Sequence, residues 1–365
     1  MANIQELNLD GFISLFTAEL KRQPSTSQFL IGNVTDLKTQ LDYKILKYLG
    51  ILLNPATLVD SIQKQLTDII AKAKLNSYYG PVKFVDQLTE ETKKAILFGS
   101  NDGMMNDIIS TSITAKFKNL THLGLWTVAV EFELFKLILE SPIISTLEVQ
   151  NVQILNVIPD TKITFAKETL VWLATNDLDV LVNEFSVMGA AKHLRTDNFN
   201  VLACLKGHIK TLVTLDISIA PANTRHLAKS LLFAKNLVEG TFKCIGANKE
   251  QTRMIFNAID SDKIEKLVLI PSLYDLEIKD LEKFEQLSCF GAVLLPFPLI
   301  KTVKLTSIFL HTVNDFQYAQ LNTTIQSYQI KHVYFTGIPN EINQFQQEYH
   351  EQLLAQGCKI HIVNK

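Results

Sequence analysis

The chain has 365 residues, 47% of them apolar and 20% charged, with 35 Lys and Arg against 37 Asp and Glu for a net charge of −2. So large an apolar share supplies a continuous core and excludes extensive disorder. The balanced charge carries none of the basic footprint of a nucleic-acid binder. The start, Met1-Ala2-Asn3-Ile4-Gln5-Glu6-Leu7, has neither a basic nor an apolar leader region. The most apolar window, 287–300, is interrupted by Pro296 and Pro298 and falls short of the ~20 residues a membrane helix needs. Four cysteines, Cys204, Cys244, Cys289 and Cys358, lie far apart with no CxxC pair. Neither a disulfide framework nor a zinc site is expected, and the expected location is the cytoplasm.

In chain order, Ile4-x-x-Leu7-x-Leu9-x-x-Phe12 opens a spacing that returns later. Residues 25–90 fit it least: 41–75 reads as mostly helical and 82–84 as a short extended piece. This predicts an N-terminal region of degenerate repeat and helical cap over 1–91, followed by one repeat array over 92–365. In 92–103 the spacing reads Ile96-x-Phe98-x-x-Asn101. Strict copies begin with Leu120-x-x-Leu123-x-Leu125-x-x-Val128 and Ile144-x-x-Leu147-x-Val149-x-x-Val152. They continue as Val182-x-x-Phe185-x-Val187-x-x-Ala190, Leu212-x-x-Leu215-x-Ile217-x-x-Ala220 and Ile264-x-x-Leu267-x-Leu269. The last two are Ile300-x-x-Val303-x-Leu305-x-x-Ile308 and Ile330-x-x-Val333-x-Phe335-x-x-Ile338, with a weaker copy at Phe242 and Cys244 and a final strand around Ile360. Fourth positions are therefore separated by 24 residues (123 to 147), then 38 (147 to 185) and 30 (185 to 215), with a later long step of 36 (267 to 303).

Apolar residues at the fourth and sixth positions put two side chains on one face of a short strand. Helical periodicity fills the intervals. Phe132, Phe135 and Leu139 form a stripe that stops at Ser141-Pro142, and Ile342, Phe345, Tyr349 and Leu353 form another before Gly357. One such unit buries four or five apolar side chains for about 10 kcal/mol. Ordering ~30 residues costs several times that, so neighbouring units must complete each other's core.

The spacing resembles that of leucine-rich-repeat proteins, and the long helical connections resemble the ribonuclease-inhibitor-like branch. The resemblance covers 120–365 and extends to 92–103. It implies an α/β fold, a leucine-rich-repeat solenoid or horseshoe with a parallel concave sheet and outer helices. The family places Asn at the ninth position to hydrogen-bond neighbouring backbones. Here that position holds Val128, Val152, Ala190, Ala220, Ile308 and Ile338, with only Asn101 conforming. Apolar residues there leave those backbone groups to other partners, which predicts irregular curvature.

No HExxH, Cys/His zinc spacing, GxSxG or phosphate-binding glycine loop occurs. The chain is therefore read as no enzyme, with no catalytic residue, no metal and no cofactor. His122, His332 and His361 fall at strand positions on the concave side and are read as exposed polar residues of distant repeats, not as a ligand cluster. The resemblance implies a protein–protein interaction module that binds a cytosolic protein through its concave face, with no nucleic acid, membrane or small-molecule substrate. It extends to effectors that bacteria deliver into a host cytosol. The alternative is a substrate receptor of a ubiquitin ligase complex. The expected partner-binding residues are His122, Trp126, Glu148, Gln150, Asp216, Lys266, Lys304, His332, Tyr334 and His361, with Trp126 and Tyr334 as exposed aromatic anchors.

Overall fold

A computed structural model describes residues 28–31, 48–51, 60–99, 108–109, 118–158, 161–175, 187–205, 207–270, 283–284, 287, 289–292, 307–310, 330–335, 351, 354–355 and 357–362. Contacts divide the chain into two compact units, Met1–Gly189 and Ala190–Lys365. Both are built on a parallel sheet whose strands follow one another in chain order, apart from three short strands of the first unit that form a second sheet. The architecture is mixed α/β.

In the first unit the main sheet runs β1 (Gln28–Ile31), β2 (Tyr48–Ile51), β3 (Ser77–Pro81), β4 (Lys94–Phe98), β6 (His122–Trp126), β8 (Thr146–Gln150) and β10 (Ile163–Leu173). The second sheet runs β5 (Ile108–Ile109), β7 (Ala129–Glu131) and β9 (Gln153–Leu155), also parallel. Helices α1 (Asp60–Lys72) and α2 (Phe132–Glu140) occupy two of the connections. Parallel neighbours require such crossovers, because a tight turn can only reverse the chain. The predicted helix before Ser141-Pro142 is α2, with Phe132, Phe135 and Leu139 buried.

Register aligns one row of residues across the strands. The core row passes from Leu49 to Tyr78, Ala95, Leu123, Leu147 and Leu170. Two sequence readings change as a result. Residues 41–75 contain strand β2 as well as α1, and residues 82–84 lie in the 3-10 helix Val82–Gln87. In β4 the fourth position is Ala95, so Ile96 faces the opposite side. The step of 38 after Leu147 hides a strand: Leu170 and Trp172 pair with Leu147 and Val149. The step from Leu147 to Leu170 is thus 23 residues.

That hidden strand escaped the pattern because its first position is Lys167. The side chain is buried, and its ammonium donates to the carbonyls of Ile138 (3.2 Å), Ser141 (2.8 Å) and Ile144 (2.8 Å). These are carbonyls in and just beyond the last turn of α2, where a cation is favourable. Burial pulls the Lys167 amine down to about 8.

In the second unit the sheet runs β11 (Val187–Thr196), β12 (Thr214–Ser218), β13 (Glu239–Lys243), β14 (Lys266–Ile270), β15 (Cys289–Ala292), β16 (Ser307–Leu310), β17 (His332–Phe335) and β18 (Lys359–Ile362). Between strands lie α3 (Phe199–Ala203), α4 (Thr224–Leu231) and α5 (Lys249–Ala258), and α4 packs beside α5. A reciprocal capping box starts α5: the Asn248 side chain accepts from the Gln251 N–H while Gln251 accepts from the Asn248 N–H. The register row is Leu194, Leu215, Gly240, Leu267, Phe290, Ile308, Val333 and Ile360, and of these Leu194, Leu215, Leu267 and Val333 are buried in the core.

This row moves several expected fourth positions. Leu194 takes the place expected for Phe185, and Phe290 and Ile308 resolve the step of 36 around Val303. Gly240 and Phe242 take the fourth and sixth positions expected for Phe242 and Cys244. Gly240 needs no side chain, because the Phe242 ring fills the space its β-carbon would occupy. The same device recurs at Gly80, filled by the Tyr78 side chain. Phe185, Val303, the opening repeat at 4–12, Asn101 and most of the expected helix over 340–356 lie outside the described residues.

The missing asparagines at the turn are replaced by backbone. The residue after each strand donates its N–H to the last strand carbonyl of the next repeat: Gly99 to Trp126, Thr127 to Gln150 and Asn151 to Leu173. The second unit repeats this, with Ile219 donating to Lys243 and Cys244 to Ile270. Thr127, Asn151 and Ala174 all hold φ near +50° at that position, an uncommon conformation for residues with a β-carbon. At the ninth position, the Val152 N–H donates to Thr175 Oγ1 at 3.2 Å. On the entry side, asparagine does bridge repeats: Asn119 donates to the Glu90 carbonyl and Asn236 to the Lys210 carbonyl, both at 2.8 Å.

Two substitutions test this account. A β-carbon at Gly99 would overlap the Thr127 carbonyl oxygen, whereas one at Gly207 meets nothing within 4 Å. Gly99→Ala should therefore destabilise by about 2 kcal/mol or more and Gly207→Ala by less than about 0.5 kcal/mol, read from chemical denaturation. For Lys167 the folded-state value lies below that of an unfolded lysine. The unfolded chain then binds more protons between about pH 8 and 10.5. The stability of the protein relative to Lys167→Met should rise across that window, by up to about 1.4 kcal/mol per pH unit. Parallel Tm–pH curves for the two proteins would refute the assignment.

Candidate functional site

The face of the sheet opposite the core carries the third, fifth and seventh residues of each repeat, and it differs along the chain. On β3, β4 and β6 much of it is buried: Tyr79 and Ile96 are each 1% exposed, and Gly124 and Trp126 are also buried. Gly124 sits where the Ile96 side chain occupies the space of a β-carbon. Trp126 is only 6% exposed, so it is a packing residue and not the exposed anchor expected from its strand position. An indole offers a large apolar surface, and a sheet covered on both faces takes it up.

Next to this buried stretch, polar groups pair. His122 Nε2 lies 2.7 Å from Glu148 Oε1, with about a fifth of each side chain exposed. Because the carboxylate only accepts, Nε2 carries the proton toward it. The Lys94 ammonium stands 5.3 Å from the Tyr79 ring centroid, within range for a cation–π contact. Gln150 is half-buried on the last row of the same face.

The second unit carries a denser set on four adjacent strands. Asp216 on β12 is flanked by Arg195 on β11, with Nε 3.4 Å from Oδ2, and by Lys243 on β13, with Nζ 3.4 Å from Oδ1. Lys266 on β14 reaches Glu239 on β13 at 3.5 Å, and His193 Nδ1 lies 3.0 Å from Thr214 Oγ1. Further along, His332 Nδ1 and His361 Nε2 are 3.0 Å apart across β17 and β18. Two histidines read as belonging to distant repeats thus stand on adjacent strands as direct neighbours.

Of the expected binding residues, His122, Glu148, Gln150, Asp216, Lys266, His332 and His361 are half-buried on this face. Tyr334 lies in β17 at the register position of His361. The Tyr334 side chain and Lys304 lie outside the described residues. Arg195, Lys243, Glu239 and His193 were not singled out from sequence. For His193 and Arg195 the signal existed in the alternation His193-Leu194-Arg195-Thr196, but a polar Thr196 at the sixth position conceals it; for Glu239 and Lys243 it is concealed by Gly240 at the fourth position of Glu239-Gly240-Thr241-Phe242-Lys243.

On the helical side, a cleft of about 620 Å³ between α4 and α5 is lined by Arg225, Lys229, Leu232, Arg253, Met254 and Asn257 among others. Among the described residues no group of three or more His, Cys, Asp or Glu could hold a metal ion. No helix among them is long and apolar enough to cross a membrane. No protein-family model and no curated protein sequence matches the chain.

Three cysteines are buried with free thiols. Burial pushes Cys204 up to about 12 and Cys244 up to about 11, and raises Cys358 as well. Thiolate is the reactive form. Iodoacetamide at pH 8 should leave the Cys204 and Cys244 peptides unmodified in the folded protein and alkylate them fully in guanidinium, as read by peptide mass mapping. Rapid labelling of either in the folded state would show that the thiol is accessible and ionised.

Proposed function

We propose that this chain is a leucine-rich-repeat solenoid that binds a protein partner through the face of its sheet opposite the core. The observation that supports this reading is the charged set Arg195, Asp216, Lys243, Glu239 and Lys266, held on four successive strands. Half-exposed pairs of this kind contribute only ~0.2–1 kcal/mol each to stability, so stability alone does not account for them. What they provide is a row of both charge signs fixed by strand register before any partner arrives. Fixed side chains lose less entropy on binding, and alternating charge selects partners by complementarity. The mixed sign suits a protein surface better than a polyanion or an apolar lipid face.

Asp216 is the centre of the set, and reversing its charge sets three cations against one another. Asp216→Lys should keep the native circular dichroism spectrum and lose no more than ~1 kcal/mol of stability. It should also abolish recovery of the partner that cross-links to the wild-type chain in cytosolic extract. Equal recovery of the same partner by the variant would remove this face from the binding surface.

A further inference from the structure

We infer that His332 and His361 form a binding site for a divalent transition-metal ion of the copper or nickel type. The two residues stand on adjacent parallel strands, His332 at the third position of its repeat and His361 at the fifth position of the next. Their ring centroids are 5.2 Å apart with planes tilted by 34°, and Nδ1 of His332 lies 3.0 Å from Nε2 of His361. Both side chains are half-buried, so the strands fix the rings while solvent still reaches them.

Imidazole nitrogens bind first-row ions at ~2.0–2.1 Å, so two nitrogens 3.0 Å apart are within reach of one ion. Imidazole is a preferred ligand of Cu2+ and Ni2+, and Cu2+ heads the affinity order of the divalent first-row ions. In the metal-free protein one nitrogen donates to the other. On binding, solvent carries that proton to the other nitrogen of the same ring, which stays neutral, and a rotation of each ring turns both freed lone pairs toward the ion. Both rings are half-buried and reached by solvent, which supplies further ligands. Lys359, the register partner of His332, adds a positive charge beside the site and lowers its affinity.

The test uses the full chain without a histidine tag, titrated with Cu2+ at neutral pH and followed by electron paramagnetic resonance and calorimetry. One tight equivalent with nitrogen hyperfine structure from two imidazoles is expected, and its affinity should fall when the pH is lowered to 5 because protons compete for the ligands. His332→Gln and His361→Gln, which keep a hydrogen-bonding side chain, should each weaken that equivalent by about tenfold or more with an unchanged circular dichroism spectrum. His122→Gln and His193→Gln should leave it intact. Retention of the tight equivalent in the His332→Gln/His361→Gln double variant would place it elsewhere and overturn the proposal. Absence of any two-nitrogen signal in the wild type would make the pair a hydrogen bond only.

Discussion

The parallel strands close their backbones on one another in chain order, and the rest of each unit depends on that closure. At the exit of a strand, the N–H of Thr127 or Asn151 is taken by the carbonyl of Gln150 or Leu173 in the following repeat. At the entry, the Lys93 carbonyl accepts from both Thr121 and His122, and the Val238 carbonyl accepts from both Glu265 and Lys266. A buried backbone group left unpaired costs about as much as a lost hydrogen bond, so these bonds must be made in the register that the apolar rows select. They also explain why Val128 and Val152 are tolerated where an asparagine would be expected. The turn is satisfied from the main chain, at the cost of three residues with β-carbons held at positive φ.

Once register is set, one row becomes core and the next becomes surface. The core row tolerates unusual members because the space belongs to the row and not to a single residue. Tyr78 fills the place of a side chain at Gly80, and Phe242 fills the one at Gly240. The opposite row is less uniform. Around Tyr79, Ile96 and Trp126 it is buried, and the polar sites begin where that burial ends, at His122 and Glu148. In the second unit the row is polar from β11 to β13. It therefore presents Arg195, Asp216 and Lys243 as a fixed set, although each contact in it is weak.

Much of this was legible in the sequence, and the failures have identifiable causes. Leu123, Leu147, Leu215, Leu267, Val333 and Ile360 occupy the positions their spacing implied, because each repeat carries plain aliphatic residues at its key positions. Lys167 defeated the pattern: a lysine at a core position reads as a break, and only the three carbonyls at the end of α2 make it acceptable there. Around 300–310, two overlapping frames, Ile300/Val303/Leu305 and Leu305/Ile308/Leu310, match equally well in sequence. Pairing of Ile308 with Val333 chooses the second. The error at Ile96 is the smallest in sequence and the largest in effect. A slip of one residue moves a strand's whole apolar set to the other face, so Ala95 and Ile96 exchange roles.

The polar sites show how a regular backbone distributes chemistry. Three of the pairs join a residue to one two positions further along the next strand: His122 with Glu148, Asp216 with Lys243, and His332 with His361. Sheet twist offsets neighbouring strands so that one diagonal is favoured over the other, and the same offset serves all three pairs. What differs is the pair of side chains placed on it. Histidine with carboxylate gives a hydrogen-bonded charge acceptor, and carboxylate with ammonium gives a fixed ion pair. Two histidines bring a pair of nitrogens to chelating distance. The backbone supplies one geometry repeatedly, and local sequence decides which of these a given pair of strands becomes.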